Sequence, residues 1–306
     1  MRRVTIMPSI FWTGKLSLPM QVLVNINNLL AIPLGNATDT KAMKLRVKNG
    51  YEGKYSSHVK RYDELGLHLQ TRSADFQVEG LENPGPLVLD VGCGTGVLAL
   101  KLIDKGSKEA ICGDISFLMI ENGRNKVPLR GGKIHFCQLD GEELPFADGY
   151  FDAVVSGMTF GLLPDQRKAL QEMVRVAKPG GLVSIGAHGP EHYWEAIDGC
   201  FRCINKRYIL GYRLEFWPRS ETYLRRLVTS SGLENIQSNR TVWKTQFSNG
   251  GAMYDFFAAI SASWWYSKLP AIEAVRDSER TRKYFEHKKM TTITDDVIAI
   301  WGRKPR

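Results

Sequence analysis

In "LVLDVGCGTGVLAL", Leu87 to Leu100, three glycines fall within five residues between two apolar runs. Leu87 to Val91 reads as a short buried strand, and Val97 to Ile103 as a helix with almost no polar interruption. The glycines therefore occupy a strand-to-helix turn. Glycine there permits positive φ and lets a ligand touch the main chain, while the free amides at the helix start favour an anionic group. The spacing of Gly92, Gly94 and Gly96 is G-x-G-x-G, which matches the dinucleotide fingerprint only in part.

The surrounding text repeats the same alternation. Further strands are expected at Ala110 to Asp114, Ile134 to Leu139, Asp152 to Ser156 and Gly181 to Ala187, with helical text such as "DQRKALQEMVRVA" between them. Two more follow, near Glu234 to Trp243 and in "DDVIAIWGRK", the first of them preceded by a helix in "SETYLRRLVTSSGLENI". Strands separated by helices predict an α/β fold with a doubly wound, mostly parallel, seven-stranded sheet. Ligands of such sheets bind beyond the carboxyl ends of the strands. Two acids stand at such ends. Asp114 closes the second strand, 18 positions after Gly96, where a carboxylate can accept from both hydroxyls of a ribose. Asp140 closes the third, within reach of an adenine amino group. Either alone is more often a turn residue; with the glycine turn they describe a nucleoside site.

"LDVGCGTG", "GDIS", "LDGEELPFADGYFDAVVSG" and "LLPDQRKALQEMVRVAKPGG" resemble the successive motifs of class I S-adenosylmethionine-dependent methyltransferases. The likeness is to the small-molecule branch that includes ubiquinone and menaquinone biosynthesis enzymes, and it covers about Tyr51 to Ala187. It implies a Rossmann-like fold with S-adenosyl-L-methionine as cofactor. It further implies that Asp90, Gly92, Gly94 and Gly96 hold the methionine end, Asp114 the ribose, and Asp140 with Gly141 the adenine. Ser156 and Gly157 would lie beside the sulfonium. Transfer from a sulfonium needs an acceptor held in line in a pocket that excludes water, and a general base only where the acceptor must lose a proton. Where the family often has an aromatic or histidine pair before "LPD", this chain has "FGLLPD".

The acceptor side is sought in "AHGPEHYWEAID". His188 and His192 are candidates to touch the acceptor or serve as base, although loop histidines are often structural; Tyr193 and Trp194 are candidate pocket residues. A second group lies in a helical insertion, 246–294, between the last two strands. There Phe256, Phe257, Trp264, Trp265 and Tyr266 fall at helical spacing, either as a lid lining an apolar pocket or as helices packed on the sheet. Cys200 and Cys203 form C-x-x-C without a second pair and read as packed thiols, so no metal is expected.

Charge is uneven across the net +9. Leu87 to Pro190 holds 11 Lys and Arg against 12 Asp and Glu, whereas Arg202 to Thr245 holds 9 against 3. That excess keeps an alternative open, in which RNA or protein is methylated on the basic 202–245 region. The favoured reading is transfer to a small, apolar or aromatic molecule, without a nucleic-acid partner. No apolar run approaches the ~20 residues of a membrane span. Five cysteines, an odd number, argue for a reducing, cytoplasmic setting. Residues 1–42 read as an extension ahead of a 43–306 methyltransferase domain: a targeting segment, a disordered stretch or a start assigned ahead of Met43. A chain beginning at Met43 is expected to fold and bind cofactor with little change.

Overall fold

Each strand expected in the text becomes a strand of one sheet. The computed structural model describes residues 14–31, 40–53, 61–126, 133–204, 220–262 and 269–306. Helices α1 (Leu18–Ala31), α2 (Thr40–Tyr51) and α3 (Tyr62–Glu79) precede β1 (Leu87–Val91). The alternation then runs α4 (Val97–Asp104), β2 (Glu109–Asp114), α5 (Phe117–Lys126), β3 (Lys133–Gln138), β4 (Phe151–Ser156), α6 (Gln166–Val176) and β5 (Ala177–His188). After α7 (Trp194–Cys203) and α8 (Glu221–Ser230) come β6 (Glu234–Gln246), α9 (Gly250–Phe257), a π-helical turn (Ala258–Ala262), α10 (Ala271–His287) and β7 (Thr292–Arg303).

The seven strands lie in the order β3-β2-β1-β4-β5-β7-β6. The first five are parallel, and β7 enters antiparallel between β5 and β6, with Ile185 opposite Ile300. The chain leaves β1 toward β3 and returns to β4, so the order reverses beside β1, the place where open α/β sheets bind ligands.

Local chemistry explains the elements. On α6, Asp165 caps the helix by accepting from Lys168 N at 3.0 Å, and Ala169, Leu170, Met173 and Val176 fall at i, i+1, i+4 and i+7 on one buried face. That face packs with Leu89, Val154 and Ile300 on one side of the sheet, while Leu98, Ala99 and Leu102 of α4 pack with Val88 and Val155 on the other. Each such fully buried aliphatic contributes about 1.5–3 kcal/mol. A third cluster joins Tyr193, Phe201, Phe256, Phe257 and Phe285, and it takes in Leu16 and Val24 from ahead of α2.

The segment before α2 is tied down beside the β5–α7 loop. Lys15 N–H donates to Pro190 O at 2.6 Å, Lys15 Nζ pairs with Glu191 at 2.8 Å, and Ser17 N–H donates to Asp198 Oδ1 at 2.9 Å. Residue 42, where the sequence divides extension from domain, falls inside α2. Residues 54–60, between α2 and α3, lie outside the described residues. The insertion between the last strands spans 247–291, because β6 continues to Gln246 and β7 begins at Thr292. Within the basic 202–245 region, Arg202 pairs with Asp198, Arg225 with Glu221, and Arg240 with Asp296, so these three charges are satisfied by the chain itself. No helix among the described residues is long and apolar enough to cross a membrane.

Candidate functional site

The turn from β1 to α4 is held from three sides. Gly92 N–H and Cys93 N–H both donate to Gly113 O, at 2.7 and 3.0 Å, which pins the turn to the end of β2. Thr159 Oγ1 donates to Gly92 O at 2.7 Å, and Thr95 Oγ1 donates to Asp63 Oδ1 at 2.7 Å, bringing the start of α3 over the turn. Asp114 accepts from Gly94 N at 2.9 Å through Oδ2 and from Ser116 N at 2.8 Å through Oδ1. Two glycines are required for different reasons. A Cβ on Gly92, at φ +72°, would stand 2.2 Å from Thr159 Cγ2. A Cβ on Gly94, at φ +55°, would meet nothing within 4 Å and would point into open space at the turn.

That space belongs to a cavity at the carboxyl ends of the parallel strands. One end is lined by Gly92 to Thr95, Asp114, Ile115, Met119 and Leu139 to Glu142. Burial raises the Asp114 carboxyl against the lowering effect of its backbone hydrogen bonds. Lys44, from α2, crosses to this end and pairs with Asp140 at 2.6 Å and Glu142 at 2.7 Å. Burial pulls its ammonium down, but the two carboxylates outweigh that and its pKa is raised. Tyr51 and Tyr62, edge to face at 6.1 Å, line the middle of the cavity.

The other end is formed by Leu69, Gln70, Ser73 and Gln77 of α3, with Met158, Leu162, His188, Tyr193, Ile260 and Ser261. Among the described lining residues, the charged ones are Lys44, Asp114, Asp140 and Glu142, all at the first end. His188 is neutral over most of the pH range, because burial lowers it to about 3. Gln70 Nε2, Ser73 Oγ and the Tyr193 hydroxyl are buried without a hydrogen-bond partner among the described residues. Each such group costs roughly 1–3 kcal/mol. Tyr193 is fully buried in the left-handed region at φ +55°, itself a cost of about 1–3 kcal/mol for a residue with a Cβ. Its conformation is held by Tyr193 N–H donating to Thr294 O at 2.7 Å and by the His192 ring 3.8 Å away.

Among the residues picked out in the sequence, Gly92, Gly94, Asp114, Asp140, Gly141, Gly157, His188 and Tyr193 line this one cavity. Asp90, Gly96, Ser156, His192 and Trp194 are not among its lining residues. Asp90 sits mid-sheet between Cys112 and Val155, where burial and the charge of Asp114 push its carboxyl up to about 7. His192 turns its Nδ1 onto the backbone of Asp296, 3.1 Å from both N and O, and Trp194 lies under Lys15, 4.8 Å from the ring centre. Trp264, Trp265 and Tyr266 lie outside the described residues. Phe256 and Phe257 are core: both are buried, 5.8 and 6.1 Å from the Tyr193 ring, and support it from behind. Lys44, Gln70, Ser73 and Gln77 were missed, and only their contacts across the fold single them out from other polar helix residues.

The strand order, the glycine turn and the acid at the end of β2 form a Rossmann-like, mostly parallel α/β fold, and residues 89–185 match the family model described as "Methyltransferase domain". The chain is 42% identical over 126 residues to the ubiquinone/menaquinone biosynthesis C-methyltransferase UbiE of Vibrio campbellii, covering 39% of this chain and 48% of that protein. The UbiE of Idiomarina loihiensis is 34% identical over 157 residues, 47% of this chain and 61% of that one. The chain thus spans about half the length of the curated relatives it matches. Among solved structures, the YcgJ protein of Bacillus subtilis superposes with a TM-score of 0.53 at 19% identity, over 77% of this chain and 99% of that one. A phosphoethanolamine N-methyltransferase of Haemonchus contortus, solved with S-adenosyl-L-methionine, gives 0.52 at 15% identity, over 85% and 60%.

Proposed function

We propose that this protein transfers a methyl group from S-adenosyl-L-methionine to a small, apolar or aromatic acceptor by in-line displacement. The observation that carries the reading is the Gly92 to Thr95 turn, whose open Gly94 position and Asp114 rim give onto a cavity that continues into an uncharged compartment. The residues suit such a cofactor: Asp114 keeps lone pairs beyond its two backbone bonds for a ribose, and the main chain at Gly94 leaves room for close approach. Asp140 and Gly141 stand where an adenine is expected, and Lys44 holds Asp140 in place. Gly157, directly after β4, lines the same cavity.

When bound, the cofactor supplies an electrophilic methyl on sulfur. The chain's part is to hold two partners in line and to keep water away, which Leu69, Met158, Leu162 and Ile260 do from the acceptor end. His188 faces that end, but burial leaves it a weak base, and His192 is turned onto Asp296. The chemistry therefore rests on positioning more than on a strong base, which suits an acceptor that is already nucleophilic. Five free cysteines accord with a cytoplasmic setting. Titration with S-adenosyl-L-methionine by calorimetry tests the donor half. Saturable one-to-one binding is expected, and an absence of binding would remove the reading.

A further inference from the structure

Three unpartnered polar atoms, Gln70 Nε2, Ser73 Oγ and the Tyr193 hydroxyl, belong to residues that line this one cavity. Gln70 and Ser73 are i and i+3 on α3 and so share a helix face, and the Tyr193 hydroxyl joins the same cavity from the β5–α7 loop. All three can donate a hydrogen bond: an amide N–H, an aliphatic hydroxyl and a phenol. Burial holds the Tyr193 proton in place well above its ordinary range. Among the described residues, no carboxylate and no cation lines this end of the cavity, and Asp295, which acts on Tyr193 through its charge, lies outside the lining. A charged head group would enter it without a counterion, which is heavily disfavoured, whereas a neutral oxygen would satisfy donors that now have no partner.

We propose that Tyr193, Gln70 and Ser73 form a hydrogen-bonding clamp for an oxygen of the acceptor, so that the site selects neutral molecules carrying a hydroxyl or carbonyl oxygen on an apolar ring or chain. The clamp rests on the reading of this cavity as a methyl-transfer site, and it adds three positioning residues to it. Tyr193 is the central one. Its strained backbone and the packing of His192, Phe256 and Phe257 behind its ring fix the direction of the hydroxyl.

Four probes of one shape test the clamp by equilibrium dialysis of the full chain, with and without saturating S-adenosylhomocysteine: 1-naphthol, naphthalene, 1-naphthoate and 1-naphthylmethylammonium. The clamp predicts 1-naphthol binding at least tenfold tighter than naphthalene, about 1.4 kcal/mol, and both ions weaker than 1-naphthol by as much or more. Tyr193→Phe keeps the ring and should erase the naphthol advantage while leaving naphthalene within twofold; Gln70→Leu and Ser73→Ala should each erase part of it. Naphthol no tighter than naphthalene, an ion that binds best, Tyr193→Phe without effect, or no binding by any probe would overturn the clamp. Loss of S-adenosylhomocysteine binding with naphthol selectivity intact would instead count against the donor half, so the two failures are distinguishable.

Discussion

Asp114 and Gly94 are joined by a hydrogen bond of 2.9 Å across 20 residues of sequence, so the acid expected at the ribose also shapes the loop expected at the methionine end. Asp114→Ala therefore removes the carboxylate proposed for the ribose and frees the turn together. S-adenosyl-L-methionine affinity should fall by roughly 1.5–3 kcal/mol, the range for hydrogen bonds to a charged group, as read by calorimetry. Unchanged affinity would dissociate Asp114 from the cofactor.

The two glycines should respond differently to added side chains. Gly92→Ala places a methyl 2.2 Å from Thr159 Cγ2 at a positive φ, and it should cost about 2–4 kcal/mol of stability. Adding Thr159→Ser, which removes that methyl and keeps the hydroxyl on Gly92 O, should restore part of the loss in thermal melts. The Cβ that Gly94→Val adds meets nothing within 4 Å, so its main effect should be on cofactor binding rather than on folding beyond the backbone strain. Retained binding in Gly94→Val would mean the turn serves packing alone.

Lys44 links α2 to Asp140 at one end of the cavity, and it is the partner of a buried acid, Glu142. Glu142 is 3% exposed and keeps its bond from Asp165 N when the ammonium is removed, but loses its charge partner. Lys44→Met should lower stability by roughly 2–4 kcal/mol. A chain starting at Met43 keeps Lys44 but loses buried Leu16 and Val24 and the Lys15 and Ser17 contacts. It should remain folded and bind cofactor with a lowered melting temperature. A truncated chain that aggregates or no longer binds cofactor would make residues 14–31 part of the site's cover.

Asp295 gives a pH-dependent prediction. It is fully buried, accepts from Thr245 Oγ1, and burial together with Glu195 raises its carboxyl to about 7, against the lowering by Thr245 and Arg72. A carboxyl raised above its unfolded value favours the folded state at low pH, and that advantage is lost as pH rises from about 4 to about 7. Asp295→Asn keeps an acceptor for Thr245 and removes the ionisation. The variant should gain stability over wild type at pH 8, by at most roughly 2–4 kcal/mol, and little at pH 4. Equal effects at both pH values in denaturant melts would contradict the assignment.

The parts of the site that the sequence made legible are those built within one turn of chain. Strand β1, the glycines and α4 are contiguous, and alternation of short apolar runs with helical text is enough to lay out the parallel sheet. The acids at the ends of β2 and β3 follow from that layout. Lys44 reaches Asp140 across 96 residues, and nothing in "KAMKLRVK" distinguishes it from the neighbouring lysines. Likewise, Gln70 and Ser73 read as ordinary polar helix positions until the cavity beside them is seen. The aromatic pair Phe256 and Phe257 has the spacing of a pocket face, yet the space it fills is behind Tyr193, because burial against α10 and α7 competes for the same apolar surface. Periodicity identifies a buried face without saying whether side chains or a ligand will cover it.

Transfer of label tests the central claim most directly. Cell extract is incubated with the protein and S-adenosyl-L-methionine carrying a deuterated methyl group, then separated into small molecules, RNA and protein for mass spectrometry. The account predicts the labelled methyl on a neutral small molecule that partitions into organic solvent, and its loss with Gly94→Val. Label in RNA or protein, or a product formed equally well by Gly94→Val, would contradict it.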